Sequence, residues 1–333
     1  MEGVDVTGYW TDKRVLVTGA TGMVGAWATR RLVDEGAHVV VLVRDADPQS
    51  ELLRSGTLES TTVVNGRLED YDTVERSVNE HDVDTVLHLG AQTIVGTAFR
   101  SPMQTLQANV AGTWNVLETA RVHSGLVRRV VVASSDKAYG AVAQLPYTED
   151  MPLRGTAPYE VSKSCTDLVS ASYAVTYGTP VAIARCGNIY GGGDLNWSRI
   201  VPGTIRSLLR GDQPVLRSDG TFLRDYLYVE DVVDAYLLAA RALDGAIAPG
   251  EAYNFSDEKP LSVMDIYRAV CLAVVGEAVE PIVLGQAKDE IKDQYLDAAK
   301  ARDTLGWGAG WTLEQGMDAT VAWYRALLAP VAA

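Results

Sequence analysis

Lys13-Arg14-Val15-Leu16-Val17-Thr18-Gly19-Ala20-Thr21-Gly22-Met23-Val24-Gly25 is the stretch whose reading decides the fold. Its first half, Lys13 to Thr18, is a short apolar run that reads as a buried strand. Glycines at 19, 22 and 25 follow at once, and a helical pattern then runs to about Glu35. Glycines in a strand-to-helix turn let the backbone approach a ligand closely. The helix start adds free N–H groups and the positive end of a dipole, which together suit a pyrophosphate. The spacing is GxxGxxG, not GxGxxG. A second strand, His38 to Val43, ends in Arg44-Asp45, where a carboxylate can bind the hydroxyls of an adenosine ribose. These features predict a dinucleotide site at Gly19, Gly22 and Gly25; a tight turn without ligand is the bland alternative.

Working outward, strands are expected at Thr61 to Asn65, Asp84 to Leu89, Arg129 to Ala133 and Pro180 to Ala184, with helical segments between them. This alternation implies an α/β fold, a Rossmann-type doubly wound parallel sheet with helices on both faces. After Asn188 the pattern becomes irregular, and Gly191-Gly192-Gly193 and Gly211-Asp212-Gln213-Pro214 mark loops. Tyr226 to Ala240 reads as a strand end and helix that return to the first unit. The expected division is a dinucleotide-binding domain at 11–188 plus about 225–245, and a smaller C-terminal substrate-binding lobe at 189–224 and 246–330. The substrate then lies between the lobes, at the C-terminal ends of the strands.

A second stretch carries the chemistry. Ser134-Ser135-Asp136-Lys137-Ala138-Tyr139-Gly140 follows the Arg129–Ala133 strand, and Tyr159-Glu160-Val161-Ser162-Lys163 lies in a helix expected from Ala157 to Tyr177. Tyr159 and Lys163 are four apart and share one helix face. An ammonium beside a phenol favours the phenolate and lowers its pKa. The Ser135 hydroxyl can bond the same substrate oxygen. Together they make a base suited to an alcohol proton, so the chain is expected to oxidise a hydroxyl and pass the hydride to the dinucleotide.

The glycine turn and the Ser–Tyr–Lys set together resemble the extended short-chain dehydrogenase/reductase family of NAD-dependent nucleotide-sugar epimerases and dehydratases. The resemblance runs from about Lys13 to Trp323. It includes His88-Leu89-Gly90-Ala91-Gln92, Asn109-Val110-Ala111-Gly112-Thr113, Arg185-Cys186-Gly187-Asn188-Ile189-Tyr190-Gly191 and Arg224-Asp225-Tyr226-Leu227-Tyr228-Val229-Glu230-Asp231-Val232. Within the family, Gly25-Ala26-Trp27, Ser135-Asp136-Lys137, Gly191-Gly192-Gly193-Asp194 and Arg199-Ile200-Val201-Pro202 are similar to the CDP-glucose 4,6-dehydratase subfamily. The resemblance implies a cofactor site of Gly19, Thr21, Gly22, Met23, Val24, Gly25, Arg44, Asp45, Leu68, Leu89, Gly90, Ala91, Asn109, Tyr159, Lys163 and Cys186. It also implies substrate contacts from Thr93, Asn188, Arg199 and Arg224, with Asn188 and Arg224 on the diphosphate. Arg44 can take the 2′-phosphate of NADP, whereas Asp45 argues for NAD. NAD is expected, because a cofactor oxidised and re-reduced in one cycle needs no external redox poise; NADP is the alternative.

The expected activity turns on Asp136-Lys137. In the resembling enzymes Tyr159 takes the sugar 4-hydroxyl proton while hydride leaves C4. A 4-epimerase then returns hydride to the other face and needs no further acid or base. A 4,6-dehydratase must also remove the C5 proton and protonate the departing 6-hydroxyl. The resemblance places an acid, Asp136, and a base, Lys137, beside Ser135 for that task. A nucleotide-sugar 4,6-dehydratase is therefore expected, with a UDP-sugar-type 4-epimerase as the alternative and a non-catalytic NAD(P)-binding sensor as a second. The bland alternative for Asp136 and Lys137 is an ion pair that shapes the loop.

Composition agrees with a globular enzyme. A chain of 333 residues that is 47% hydrophobic can bury a large core. No apolar run approaches the roughly 18 residues of a membrane span, and Met1 to Thr11 is polar, without the pattern of a signal peptide. Cys165, Cys186 and Cys271 show no CxxC pairing and suit a reducing cytoplasm. His38, His81, His88 and His123 lack metal-ligand spacing, so no metal is expected; His88 reads as a core residue. Trp27 and Trp114 read as helix-face packing. The net charge of −14 opposes nucleic acid and anionic membranes as partners. An anionic nucleotide-diphosphate sugar then needs a locally basic site, which the arginines of 185–224 can supply. Arg199 and Arg224 are the better candidates, while Arg206 and Arg210 read as a solvated helix face. The helices Pro102 to Arg121 and Ala157 to Tyr177 carry apolar positions on more than one face. The resemblance pairs them with their mates in a homodimer.

Overall fold

β1 (Arg14–Thr18) and β2 (His38–Val43) form where the sequence is densest in valine and leucine, and every residue of both after the first is buried. Such all-apolar strands need cover on both faces, which a parallel sheet with crossover helices provides. β3 (Thr62–Asn65), β4 (Thr85–His88), β5 (Arg129–Ala133) and β6 (Val181–Cys186) complete the expected set. The computed structural model describes residues 8–286 and 291–329, so Met1 to Thr7 of the polar N-terminal stretch and residue 330 of the expected second lobe lie outside the described residues.

The sheet has seven strands, all parallel, with Ala252–Phe255 at one edge followed by β6, β5, β4, β1, β2 and β3. The chain order reverses between β1 and β4, which is where a doubly wound sheet opens a crevice at its C-terminal edge. One apolar layer covers one face, built from α1 (Met23–Asp34), the helix Val229–Ala242 and their neighbours. A second layer around Val74, Val116, Leu117 and Val130 covers the other. Two differences from expectation stand out. Ala252–Phe255, expected in the second lobe, pairs with β6 in register Asn254 to Arg185 and is a strand of the main sheet. Tyr226–Tyr228, expected to end a strand of the first unit, pairs instead with Asn188–Tyr190 as a separate two-stranded ribbon. Both segments are three or four residues long, too short for periodicity to place.

The helices Ile200–Arg210, Val263–Val275 and Leu313–Leu328 build a further core around Ile205, Ile266, Met317 and Tyr324. The last two open with reciprocal caps, Ser262 with Asp265 and Thr312 with Gln315. This unit is fastened to the first by Trp27 Nε1 donating to the Gly192 carbonyl at 2.8 Å and Trp323 Nε1 donating to Glu51 at 2.5 Å.

The turn after β1 is set by contact distances. Gly19 has φ +72°, and a Cβ there would lie 2.7 Å from the Gly90 backbone. A Cβ on Gly25 would lie 2.1 Å from the Gly19 carbonyl oxygen, a backbone atom that no rotamer change can move. Gly25→Ala is therefore expected to cost about 3 kcal/mol, the upper part of the range for overpacking. Thermal unfolding together with dinucleotide binding checks this; a wild-type midpoint with wild-type binding would refute it.

Candidate functional site

Above the reversal between β1 and β4 lies a cavity of about 1100 Å³ between the two lobes. Its floor is the glycine turn. α1 starts at Met23 without a side-chain cap and without an acidic residue in its first turn, so its first N–H groups keep their capacity for an anion. Thr18 Oγ1 accepts from the backbone N–H groups of Leu89 and Gly90 at 3.1 and 3.0 Å. That bond clamps the β4 loop against the β1 turn. Gly19, Thr21, Gly22, Met23, Val24, Gly25, Arg44, Asp45, Leu68, Leu89, Gly90, Ala91 and Cys186 all line this cavity. Arg44 Nε donates to Asp45 Oδ2 at 2.6 Å, and both are exposed at the rim.

Asn109 is the exception, because it does not line the cavity. The helix expected across Pro102 to Arg121 is broken by one π turn at Gln107–Ala111, a distortion often found at functional positions. The turn aims Asn109 at the loop behind the wall. Its Oδ1 accepts from the Gln92 N–H at 2.7 Å, and its Nδ2 donates to the Gln92 carbonyl at 3.0 Å and to Ser162 Oγ at 2.9 Å. Asn109 thus ties the loop after β4 to the helix Pro158–Tyr177. His88 is a satisfied core residue, as expected. The Thr18 hydroxyl already accepts two N–H groups, so it donates to Nδ1 at 2.9 Å, and Nε2 donates to Thr113 Oγ1 at 3.1 Å. Burial pushes its pKa down to about 3, which keeps it neutral.

Ser135, Asp136, Lys137, Tyr159 and Lys163 come together on the opposite wall. Ser135 leaves β5 in extended conformation and caps the short turn Asp136–Tyr139, accepting from the Lys137 N–H at 3.2 Å. Its hydroxyl donates to Asp136 Oδ1 at 2.8 Å. Lys137 Nζ donates to Gln294 Oε1. Lys163 Nζ donates to the Ala133 carbonyl at 2.7 Å and lies 6.0 Å from the centre of the Tyr159 ring.

The electrostatics depart from the simple expectation that Lys163 lowers the Tyr159 pKa. Burial dominates and pushes Tyr159 up to about 12. The opposing influences are the charge of Arg199 and the hydrogen bond with Ser135, while Asp136 adds to the rise. Burial pulls Lys163 the other way, down to about 8. Both shifts have one cause: a low-dielectric wall disfavours phenolate and ammonium alike.

Thr93, Asn188, Arg199 and Arg224 line the second half of the cavity. Arg199 Nη1 pairs with Asp194 Oδ2 at 3.0 Å, and its Nη2 lies 3.5 Å from Thr93 Oγ1. Arg224 donates to the carbonyls of Leu223, Lys292 and Ile291 at 2.8, 2.6 and 2.5 Å. Arg206, expected on a solvated face, also lines the cavity and stacks on Trp197 at 4.6 Å. An amphipathic pattern cannot distinguish bulk solvent from a wet cleft. Gln294 and Asp167 were not anticipated, since their partners lie far away in sequence, and Arg185, expected among the arginines of a basic site, does not line the cavity but is buried against Asp167. Among the described residues no three His, Cys, Asp or Glu side chains gather as a metal ion would require, and no helix is long and apolar enough to cross a membrane.

Residues 15–255 match the NAD dependent epimerase/dehydratase family, and the chain belongs to that family. It is 30% identical to the CDP-glucose 4,6-dehydratase of Salmonella typhimurium, over 96% of this chain and 92% of that protein. Among solved structures, a UDP-glucose 4-epimerase from Thermotoga maritima with UDP-glucose superposes with a TM-score of 0.86 at 27% identity, covering 95% of this chain and 99% of the other. A dTDP-glucose 4,6-dehydratase from Streptomyces venezuelae, solved with NAD, superposes with a TM-score of 0.82 at 27% identity, covering 94% and 97%.

Tyr159→Phe removes one oxygen from a helix residue and leaves the glycine turn untouched. The variant is expected to keep its dinucleotide and to lose turnover by at least about 10²–10⁴-fold, the usual worth of a positioned proton acceptor. Cofactor content measured beside the rate checks this, and near-wild-type turnover would remove Tyr159 from the chemistry.

Proposed function

We propose that the protein is a nucleotide-sugar 4,6-dehydratase that uses bound NAD, with a nucleotide-diphosphate sugar as substrate. The observation that carries this reading is the pair Asp136 and Lys137 next to Ser135 on the cavity wall. Asp136 is 2% exposed. A buried carboxyl is costly to desolvate and is retained where it acts or pairs well, and the half-buried Lys137 stands next to it. Similarity to CDP- and dTDP-glucose 4,6-dehydratases over nearly the whole chain supports the same conclusion.

The residues present fit the cofactor: an uncapped helix start, a turn with no room for side chains, and an acidic rim residue in Asp45. When bound, NAD takes the hydride from C4 of the sugar and later returns it to C6. Tyr159 takes the 4-hydroxyl proton, and Ser135 holds the oxygen. Lys137 removes the C5 proton made acidic by the C4 ketone, and Asp136 gives a proton to the 6-hydroxyl as it leaves. The sum is loss of one water, with no net redox change. Asn188, Arg199 and Arg224 hold the diphosphate. The second reading, a 4-epimerase, is favoured by the close superposition with the UDP-glucose 4-epimerase; it uses Tyr159 and Lys163 but has no task for Lys137.

Lys137→Ala separates the two. In the dehydratase the first hydride transfer survives, so NADH accumulates when the sugar nucleotide is added and water loss stops. A panel of nucleotide sugars read by mass spectrometry identifies the substrate through a product lighter by one water. A wild-type product of unchanged mass that keeps its 6-hydroxyl would overturn the dehydratase reading in favour of epimerisation.

Free thiols at Cys165, Cys186 and Cys271 support a cytoplasmic setting. We also propose a homodimer. On the helices Pro102–Leu106, Gly112–Val122 and Pro158–Tyr177, Met103, Trp114, Leu168, Val175 and Tyr177 are exposed; Val175 reaches 86% and Met103 68%. Trp114, expected to pack on a helix face, is 45% exposed and so only partly covered within the subunit. Two neighbouring helices with bare apolar faces suit burial against a second copy. Leu168→Glu with Val175→Glu is expected to convert the dimer to monomer by light scattering; a wild-type protein that is already monomeric would refute it.

A further inference from the structure

Three consecutive residues at the end of β5 meet three successive turns of the helix Pro158–Tyr177. Ser135 faces the cavity beside Tyr159, the Ala133 carbonyl accepts from Lys163 Nζ, and Ser134 Oγ donates to Asp167 Oδ2. Tyr159, Lys163 and Asp167 stand at i, i+4 and i+8 on one buried face. Proton abstraction accounts for the first two. Asp167 does not line the cavity, yet it is a carboxylate 2% exposed, a depth at which an acid is kept only if it is paired. Its partner is Arg185 on β6, whose Nε donates to Oδ1 at 2.6 Å. Arg185 Nη1 donates in turn to the Tyr139 hydroxyl at 2.7 Å, and that hydroxyl donates to Asn254 Oδ1 at 2.7 Å. The carboxylate is thus fixed from β5, from β6 and, through Tyr139, from the edge strand.

We propose that Asp167 is the positioning residue of Lys163: a fixed negative charge one helical turn away that keeps the buried ammonium charged and aimed at Ala133 and Tyr159, with Arg185 and Ser134 as its mounts. This rests on the reading that Tyr159 and Lys163 carry the alcohol oxidation, and it holds for dehydratase and epimerase alike.

The surroundings of Lys163 leave this task to Asp167. Burial lowers the lysine pKa, and Asp167 is the strongest influence that raises it, ahead of Cys186. The other titratable groups nearby are His88 on β4, Cys186 on β6, Tyr159 on the same helix and Tyr236 on the helix Val229–Ala242. Burial holds His88 as the neutral imidazole and pushes Cys186 up to about 12, Tyr159 up to about 12 and Tyr236 well above its usual range. None of the four carries charge near neutrality. Asp136 acts on Tyr159 and on Cys186. Burial also raises the Asp167 pKa, but the Arg185 guanidinium and the Ser134 hydroxyl oppose it. A guanidinium at hydrogen-bond distance keeps the carboxylate ionised.

The test uses the NAD-loaded protein with its sugar nucleotide and follows the first hydride transfer by NADH absorbance as a function of pH. Wild type loses rate on the alkaline side as Lys163 gives up its proton. In Asp167→Asn that alkaline limb is expected to move to lower pH by about one unit, a rate loss of about tenfold above the new limb, with cofactor content unchanged. Asp167→Glu, which keeps the charge, is expected to restore the wild-type limb. If Arg185 left alone prevents Asp167→Asn from folding, the double variant Asp167→Asn, Arg185→Leu removes both buried charges and is expected to show a shift of the same sign. Folded variants with the wild-type limb and rate would overturn the proposal. Tyr159→Phe keeps the two readings apart: if it still forms NADH, the oxidation reading fails, whereas a dead Tyr159→Phe beside an unshifted Asp167→Asn sinks the Asp167 proposal alone.

Discussion

The docking of the β5 end onto the helix Pro158–Tyr177 is the contact on which the site depends. A parallel strand ends with carbonyls that no neighbouring strand can fully satisfy, and a buried carbonyl without a partner is costly. Here the Ala133 carbonyl receives Lys163 and the Ala138 carbonyl receives Ser164. Asn109 reaches Ser162 from the other side. The helix is therefore held in angle and height by polar bonds instead of apolar packing alone. Each bond is worth only about 1 kcal/mol net, but breaking one strands a buried group. Rotation of the helix is thus prevented, and Tyr159 keeps its place over the cleft.

The same enclosure creates an electrostatic difficulty. Tyr159 near 12 and Lys163 near 8 are shifted in opposite directions by the same burial, so the wall resists the ion pair that proton abstraction needs. Positive charge also reaches Tyr159 from outside it. Arg199 has the largest lowering effect on Tyr159, and it stands at the start of the helix Ile200–Arg210, in the second lobe. On the proposed reading the first lobe supplies the acceptor, and the second adds a positive charge that favours its phenolate. On that reading the charge that Tyr159 meets comes from both lobes, which the indole bonds of Trp27 and Trp323 join.

Much of this was legible in the sequence, and the limits have a physical pattern. The glycine turn, the Tyr159–Lys163 spacing and the first six strands are local signals, written within one turn or one run, and the structure places them as expected. What the sequence hid was long-range pairing. Nothing near Asp167 announces Arg185, eighteen positions on, and nothing near Lys137 announces Gln294. Asn109 fell within a matching motif, but the π turn that points it behind the wall leaves no mark in a helical pattern. Ala252–Phe255 is a four-residue run after the helix Val229–Ala242, too short to announce its pairing with the open edge of β6. Expecting Lys163 to lower the Tyr159 pKa considered the two charges and left out the cost of burying them.

A chain with net charge −14 must concentrate its positive charge and hold it ready if, as proposed, it binds an anionic diphosphate. Long arginine side chains lose conformational freedom on binding, and each one fixed beforehand lowers that cost. Here three guanidiniums in the second half of the cavity already have a mount. Arg199 is held by Asp194, Arg206 lies on Trp197, and Arg224 is gripped by three backbone carbonyls. The Arg199 mount carries a full negative charge, whereas the Trp197 ring under Arg206 carries none. The ring orients the Arg206 cation without neutralising it, so its field reaches the cavity. The acidic surface discourages polyanions from docking elsewhere, while a cleft lined by pre-oriented arginines between low-dielectric walls focuses the opposite potential inward. Overall charge and local charge thus act together, steering a small anion to one place on an otherwise repellent surface.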